Sequence, residues 1–345
     1  MVKTQSMQKV PLAHVGSAEL AIKNKVNGGW LATPARRLWL LLALALLASA
    51  AFMTVGVKTE WSFVLPLRGT KLLTLWTVAF AIGVSTVLFQ TVTNNRILTP
   101  AVMGFDQLFA LVQTTLAFTV GAAAMQMPEL TRFGMNVGLM VVLSTSLFMW
   151  LFRGQTSNLH LLLLVGIVAG ILFRSLNSFV WRIMDPNEFV VLQDRLFASF
   201  NSVSLPLLLV SQAVIAVLAI WVWRQRHLLD VLALGRDVAV NLGVNYQRAV
   251  MGVLVVVAVL VSVSTALVGP VTFFGLLVSN MAYQLMHTHQ HRYTIAATVL
   301  LGVLMLVGGQ MVLERIFSFN TALSMVVEFL GGLTFIYLLV RKAKS

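Results

Sequence analysis

The residues of this chain best suited to specific work lie in one polar island, Arg224 to Arg248, set between two long apolar runs. Its centre reads Leu234-Gly235-Arg236-Asp237-Val238-Ala239-Val240-Asn241-Leu242-Gly243-Val244. Charges at the ends with small residues between them suit a docking element that a soluble partner grips. A solvated turn-helix that merely links two spans is the plainer alternative. Either way the pattern predicts one short helix from Arg236 to Leu242, with Gly235 and Gly243 allowing a sharp start and stop.

Other chemistry is weakly signalled. His287, His289 and His291 alternate, and imidazole is the commonest ligand of transition metals. No carboxylate or cysteine lies beside them in sequence, so a polar inter-helix turn is the expected role and no metal site is expected. Cysteine is absent altogether, which excludes disulfides, thiolate ligands and cysteine nucleophiles. No Gly-x-x-x-x-Gly-Lys-Ser/Thr loop is present to cradle phosphates. No nucleophile and base stand at a readable spacing, so no catalytic residues are assigned and an enzyme is not expected.

The elements that must position these residues are membrane helices. Apolar residues make up 59% of the chain and charged residues 10%, against about 25% charged in a soluble protein. Spanning a hydrocarbon core of about 30 Å takes about 20 apolar residues. Ten runs approach that length: 38–57, 72–92, 104–121, 133–152, 159–179, 205–223, 249–268, 272–286, 293–309 and 322–340. No alternation in ten-residue blocks suggests a barrel, so the expected class is an all-α integral membrane protein. Residues 1–35 form a polar arm, and 36–345 form one transmembrane domain interrupted by the island at 224–248. Ten crossings put both termini on one side. With the N-terminus inside, 16 of the 24 Lys and Arg fall on inner segments, as the positive-inside rule requires. The net charge of +13 is then topology and attraction to anionic headgroups, with no nucleic acid as partner.

Polar groups within spans are costly and therefore informative. Gln90, Asn94, Asn95 and Arg96 close the second span. Thr99-Pro100 and Gly104-Phe105-Asp106 lead into the third, a pattern that suggests a broken, closely packed return into the membrane. Arg174 stands about 14 residues along the fifth span and Glu328 about six residues into the tenth. At about 1.5 Å per residue the two share one height, where they pair or line a common pathway.

Several strings together resemble the permease family of ABC importers for iron chelates and vitamin B12. They are Leu67-Arg68-Gly69-Thr70-Lys71 followed by Gln90, Asn94, Leu98, Pro100 and Gly104; Leu234-Gly235, Asp237, Ala239 and Leu242-Gly243; Gly269-Pro270 with Phe273, Phe274, Gly275 and Leu276; and Gly331, Phe335, Leu338 and Leu339. The resemblance covers everything after about residue 35. Asn95-Arg96-Ile97-Leu98-Thr99-Pro100, Met103-Gly104-Phe105-Asp106 and Asp185-Pro186-Asn187-Glu188-Phe189 are most similar to a branch handling ferric siderophores of catecholate or mixed-catecholate type. The chain departs from the wider family at Ser279, Asn280 and Tyr283, where Pro-His and a nearby Arg are usual. It departs again at Asn320, Ala322 and Ser324, where a Glu-x-Pro-x-Gly lead-in is usual.

The resemblance implies a ten-helix permease in the bacterial inner membrane with both termini cytoplasmic. It pairs with a second permease, paralogous or identical, and carries two ABC ATPase subunits that supply ATP and Mg chemistry; this chain itself binds no cofactor. A periplasmic or lipid-anchored substrate-binding protein docks outside, where Arg68, Lys71 and Arg315 match basic docking positions. Leu234, Gly235, Arg236, Asp237, Ala239, Leu242 and Gly243 become the ATPase-coupling loop. Thr156 and Ser157, in the inner loop 153–158, become gate candidates beside Gln90 and Asn94, and Arg174 becomes an alternative contact for an anionic iron complex. Two other classes compete on the residues alone: another metal chelate or cobalamin as cargo, or an ion-coupled secondary transporter using Asp106 and Glu328.

Overall fold

The computed structural model describes residues 33–57, 60–120, 127–152, 159–201 and 203–315, with Val327, Phe329, Gly332, Leu333, Ile336 and Val340 beyond them. Glu328, Thr156, Ser157, the last-helix motif at Gly331, Phe335, Leu338 and Leu339, most of the polar arm and most of the expected tenth span lie outside the described residues.

The described chain is helical. Its helices are α1 Pro34–Thr54, α2 Trp61–Thr93, α3 Phe105–Val120, α4 Glu129–Phe152, α5 Leu159–Ile183, α6 Pro186–Leu196, α7 Leu205–Arg224, α8 Arg226–Leu232, α9 Arg236–Asn241, α10 Tyr246–Val268, α11 Phe274–Met286 and α12 His291–Arg315. A 3-10 turn, Pro100–Met103, precedes α3. Seven helices among the described residues are long and apolar enough to cross a membrane: α1, α2, α4, α5, α7, α10 and α12. The count of ten spans expected from the sequence is therefore not reached here. Runs 104–121 and 272–286 resolve into the shorter helices α3, of 16 residues, and α11, of 13.

α2 and α10 are buried along most of their length, whereas α1, α5 and α7 are mostly exposed. α2 packs against α10, α11 and α12; α4 packs against α10, α1 against α12, and α3 against α5. The 33 residues of α2 extend well past the expected 72–92 and absorb Leu67–Lys71 into the helix. Pro66 lies within its second turn, where one lost amide bond is tolerated near a helix start.

Helix ends show how closely sequence and packing are joined. Pro34 opens α1 at a position with no hydrogen bond to lose. Asn94 closes α2 in the left-handed conformation, φ 49°, which Asn accepts better than most residues. Asn245 caps α10 by accepting from the Arg248 amide at 3.2 Å.

The broken return into the membrane is built on contact between glycines. Gly104 follows the 3-10 turn at φ 84°, and a Cβ there would sit 2.6 Å from the Cα of Gly170 on α5. Gly166 takes Met103 in the same seam. Gly104→Ala should therefore destabilise the protein by about 1–3 kcal/mol, read as a lower unfolding midpoint in detergent. Gly308→Ala, with nothing within 4 Å of the added carbon, should be neutral or slightly stabilising. Equal midpoints for the two variants would contradict the close-approach reading.

Candidate functional site

The polar island folds as two helices where the sequence suggested one. α8 lays Leu229 and Leu232 into the core at 0% and 2% exposure and packs against α12 and α2. After it, α9 turns outward. Gly235 and Gly243 hold φ 96° and 81° with open space around each, so backbone conformation alone requires glycine at both. Ala239 is fully buried against the bundle, while Leu234, Val238, Val240 and Leu242 are 60%, 42%, 51% and 61% exposed. Leu242 caps the helix rather than ending it. Four exposed apolar residues in nine positions form a knob at the tip of a charged loop. Arg236 and Asp237 are exposed beside it.

This knob is braced from behind. Asp230 on α8 turns its carboxylate onto the first residue of α12: Oδ1 accepts from the His291 amide at 2.8 Å and meets His291 Nδ1 at 2.7 Å. An ionised carboxylate only accepts, so Nδ1 carries the proton. On the far side, His291 Nε2 lies 2.7 Å from the Thr91 hydroxyl on the last turns of α2. His291 itself is 4% exposed. Asp230 thereby caps a spanning helix supplied by another part of the chain, with negative charge at the positive end of the helix dipole. One chain of contacts joins α8, α12 and α2.

The neighbouring turn is tied into the same end. Gln90 is buried and donates Nε2 to the Arg96 carbonyl at 2.7 Å, and Asn280 donates Nδ2 to that carbonyl at 3.3 Å. The Arg96 guanidinium stacks over the Tyr283 ring at 4.6 Å and donates to His289 Nδ1 at 3.2 Å. Asn280 and Tyr283 thus grip the α2–α3 turn. Gln90 acts in that turn, and Asn94 is its exposed cap.

The structure corrects the expectation for one of the three histidines. His287 and His289 lie exposed in the inter-helix turn, where His289 meets Arg96, whereas His291 is enclosed between Asp230 and Thr91. The reason is spatial, since Asp230 is far off in sequence but adjacent in the fold. Among the described residues no group of three or more His, Asp or Glu is placed to hold a metal ion.

At the opposite end, Arg68, Lys71 and Arg315 come together around the end of α1. Arg68 Nη1 donates to the carbonyls of Phe52 and Val55, each at 2.9 Å. Arg315 donates to the Val55 carbonyl as well. Lys71 pairs with Glu314 at 3.5 Å, both side chains about 15% exposed. Of the three cations expected to serve docking, Arg68 and Arg315 cap the C-terminus of α1 and Lys71 holds α2 to α12. Arg174 lies on the exposed face of α5 instead of facing into the bundle; its expected partner Glu328 is outside the described residues. Asp106 accepts from the Thr272 hydroxyl at 2.7 Å, which gives this acid a structural partner.

Sequence reading did not pick out Asp230 or Thr91. One signal was available: Asp230 is one of only two acids in the island, and it lies in the run Leu228-Leu229-Asp230-Val231-Leu232, whose helical spacing turns one face inward.

Fold and site define a polytopic helical membrane protein with a braced apolar knob projecting from one end. The chain belongs to the FecCD transport family, matched over residues 38–341. It is 45% identical over 310 residues to the petrobactin import system permease protein YclO of Bacillus subtilis, covering 88% of this chain and 98% of that protein. It is 35% identical over 318 residues to the petrobactin import system permease protein FatC of Bacillus anthracis, covering 89% and 90%. Among solved structures it superposes with a TM-score of 0.78, at 18% identity, on a chain described as a metal-chelate type ABC transporter in an inward-facing conformation, covering 89% of this chain and 99% of that one. The family consists of ABC importer permeases, so this chain is a transport subunit and not an enzyme.

Because one histidine links two partners, truncations on either side of it should not add. Asp230→Ala and His291→Ala are each expected to cost about 1–3 kcal/mol. The double variant should cost less than their sum by about 0.5–3 kcal/mol, read from unfolding in detergent. Additive losses would show that the two side chains act independently.

Proposed function

We propose that this chain is the membrane-spanning subunit of an ATP-driven importer of a ferric siderophore, of catecholate or mixed-catecholate type. It works with ABC ATPases on its inner side, a substrate-binding protein on its outer side and a second, paralogous permease in the membrane. The observation that carries the reading is the knob of Leu234, Val238, Val240 and Leu242, exposed at its tip and braced at its base. An exposed apolar patch with a polar rim is what a soluble partner's groove covers. A rigid brace lets closure of that partner bias two arrangements of the helices behind it.

Support for the cargo comes from the two relatives whose names specify petrobactin import, together with the motif resemblance at residues 95–100, 103–106 and 185–189. Support for a second permease comes from α5, whose exposed face carries Arg174 among Leu172, Leu176 and Phe179. A charged side chain is costly against lipid, and a protein surface facing Arg174 removes that cost. The positive-inside count supports a cytoplasmic island end. At the outer end, Arg68 and Arg315 would orient acidic lobes of the binding protein.

The test is the Leu242→Arg variant in the assembled transporter. The expected result is loss of ATPase co-purification, and ATP-dependent uptake of ferric siderophore into proteoliposomes reduced at least about tenfold, since hot-spot residues at an interface each contribute about 2 kcal/mol or more. Full association and full uptake by the variant would overturn the docking reading. Uptake by the unmodified chain that needs an ion gradient and no ATP would overturn the importer reading.

A further inference from the structure

At the island end, α1 and α12 pack together but α7 does not close against either. They leave an open groove of about 390 Å3 lined by Leu38, Leu42, Phe80, Val222, Ile295 and Val299. Arg226 and Arg292 stand at its mouth, beside His291. The Arg226 guanidinium stacks over the Trp223 ring at 4.8 Å, and that of Arg292 stacks over Tyr293 at 4.5 Å. Trp39 and Trp223, which also line the groove, are 70% and 59% exposed. Apolar walls, an aromatic rim and two cations at one end match the cross-section of one leaflet and its surface.

We propose that this groove is a binding site for an anionic phospholipid of the leaflet on the island side, with its phosphate on Arg226 and Arg292 and an acyl chain along α1 and α12. The dimensions agree: from His291 to Leu300 the groove follows α12 for about 13 Å at 1.5 Å per residue, close to the half-thickness of a hydrocarbon core of about 30 Å. Charge selects the lipid class. Arg224 is exposed two residues before Arg226 and adds positive potential, while Asp230 on α8 is engaged by His291. Basic pockets between helices at the membrane surface attract anionic headgroups. The chain's own N-terminal arm is a poor occupant, because residues 1–32 carry Lys3, Lys9, Lys23 and Lys25 against the single acid Glu19 and are repelled by the same arginines.

The site touches the braced end of the molecule. Arg226 is the first residue of α8, and His291 is both a wall of the groove and the link between Asp230 and Thr91. An occupying lipid therefore contacts the first residue of α8 and the histidine that links the brace.

The experiment uses the full chain assembled with its partners in nanodiscs of phosphatidylcholine containing graded fractions of phosphatidylglycerol. Phosphatidylglycerol retained after a delipidating wash is quantified by mass spectrometry. The expected result is preferential retention of phosphatidylglycerol by the unmodified protein, falling more than tenfold in Arg226→Gln/Arg292→Gln, from about fivefold per cation at a membrane surface. Retention should also fall in Ala296→Trp, which fills the groove and leaves both arginines in place, and this separates a built site from general surface charge. Equal retention of phosphatidylcholine, or undiminished phosphatidylglycerol in the double-arginine variant, would overturn the proposal. So would photo-crosslinks from a probe at Trp223 that land in residues 1–32 and not on lipid.

Discussion

A carboxylate placed at the edge of a membrane must be paired or remain in water, and the pairing of Asp230 organises this protein. Its oxygen takes both the free amide at the start of α12 and the ring of His291. In doing so it joins the polar island to the start of α12. Each partner supplies what the others lack: α12 has an unsatisfied N-terminus, His291 needs an acceptor, and α8 needs an anchor stronger than seven residues of helix provide on their own. The contact to Thr91 then carries the connection into α2, the most extensively packed helix of the bundle.

From that constraint the division of labour follows. The base of the island is fixed and its tip is apolar and open, so a force applied to the tip is delivered to α2 and α12 instead of being lost in a loose loop. At the far end of those same two helices, Lys71 on α2 pairs with Glu314 on α12, and Arg68 and Arg315 close the end of α1. Both ends of the α2–α12 pair are thus held by polar contacts, while α5 is joined to α3 by the close approach of Gly104 to Gly170 and by hydrogen bonds from Asn177 to the Gln107 carbonyl and from Trp181 to the Thr114 hydroxyl.

How far the sequence discloses this depends on the range of the interaction. Membrane class and the long spans follow from local hydropathy, and the knob follows from Gly235, Gly243 and the apolar residues between them. α3 and α11 keep the bounds of their short apolar runs to within two residues, because Pro100, Gly104 and Gly269-Pro270 break the chain just before them. α2 is longer than its apolar run since Arg68 and Lys71 find partners in the protein, which hydropathy cannot register. The Asp230–His291–Thr91 chain was invisible for the same reason: its members are 61 and 200 residues apart, and each alone is an ordinary polar residue in a turn or at a helix end.

The central claim is that the island base and the adjoining ends of the spanning helices move as one body. The chain contains no cysteine, so single spin labels can be placed cleanly at His227→Cys on α8 and Gln284→Cys on α11, both exposed. The most direct measurement is the distance between them by pulsed electron resonance in the assembled transporter, with and without ATP. A single narrow distance, unchanged by nucleotide, is the predicted result. A distance that shifts or splits when ATP binds would mean that the island moves independently of the helices behind it, and would contradict the account.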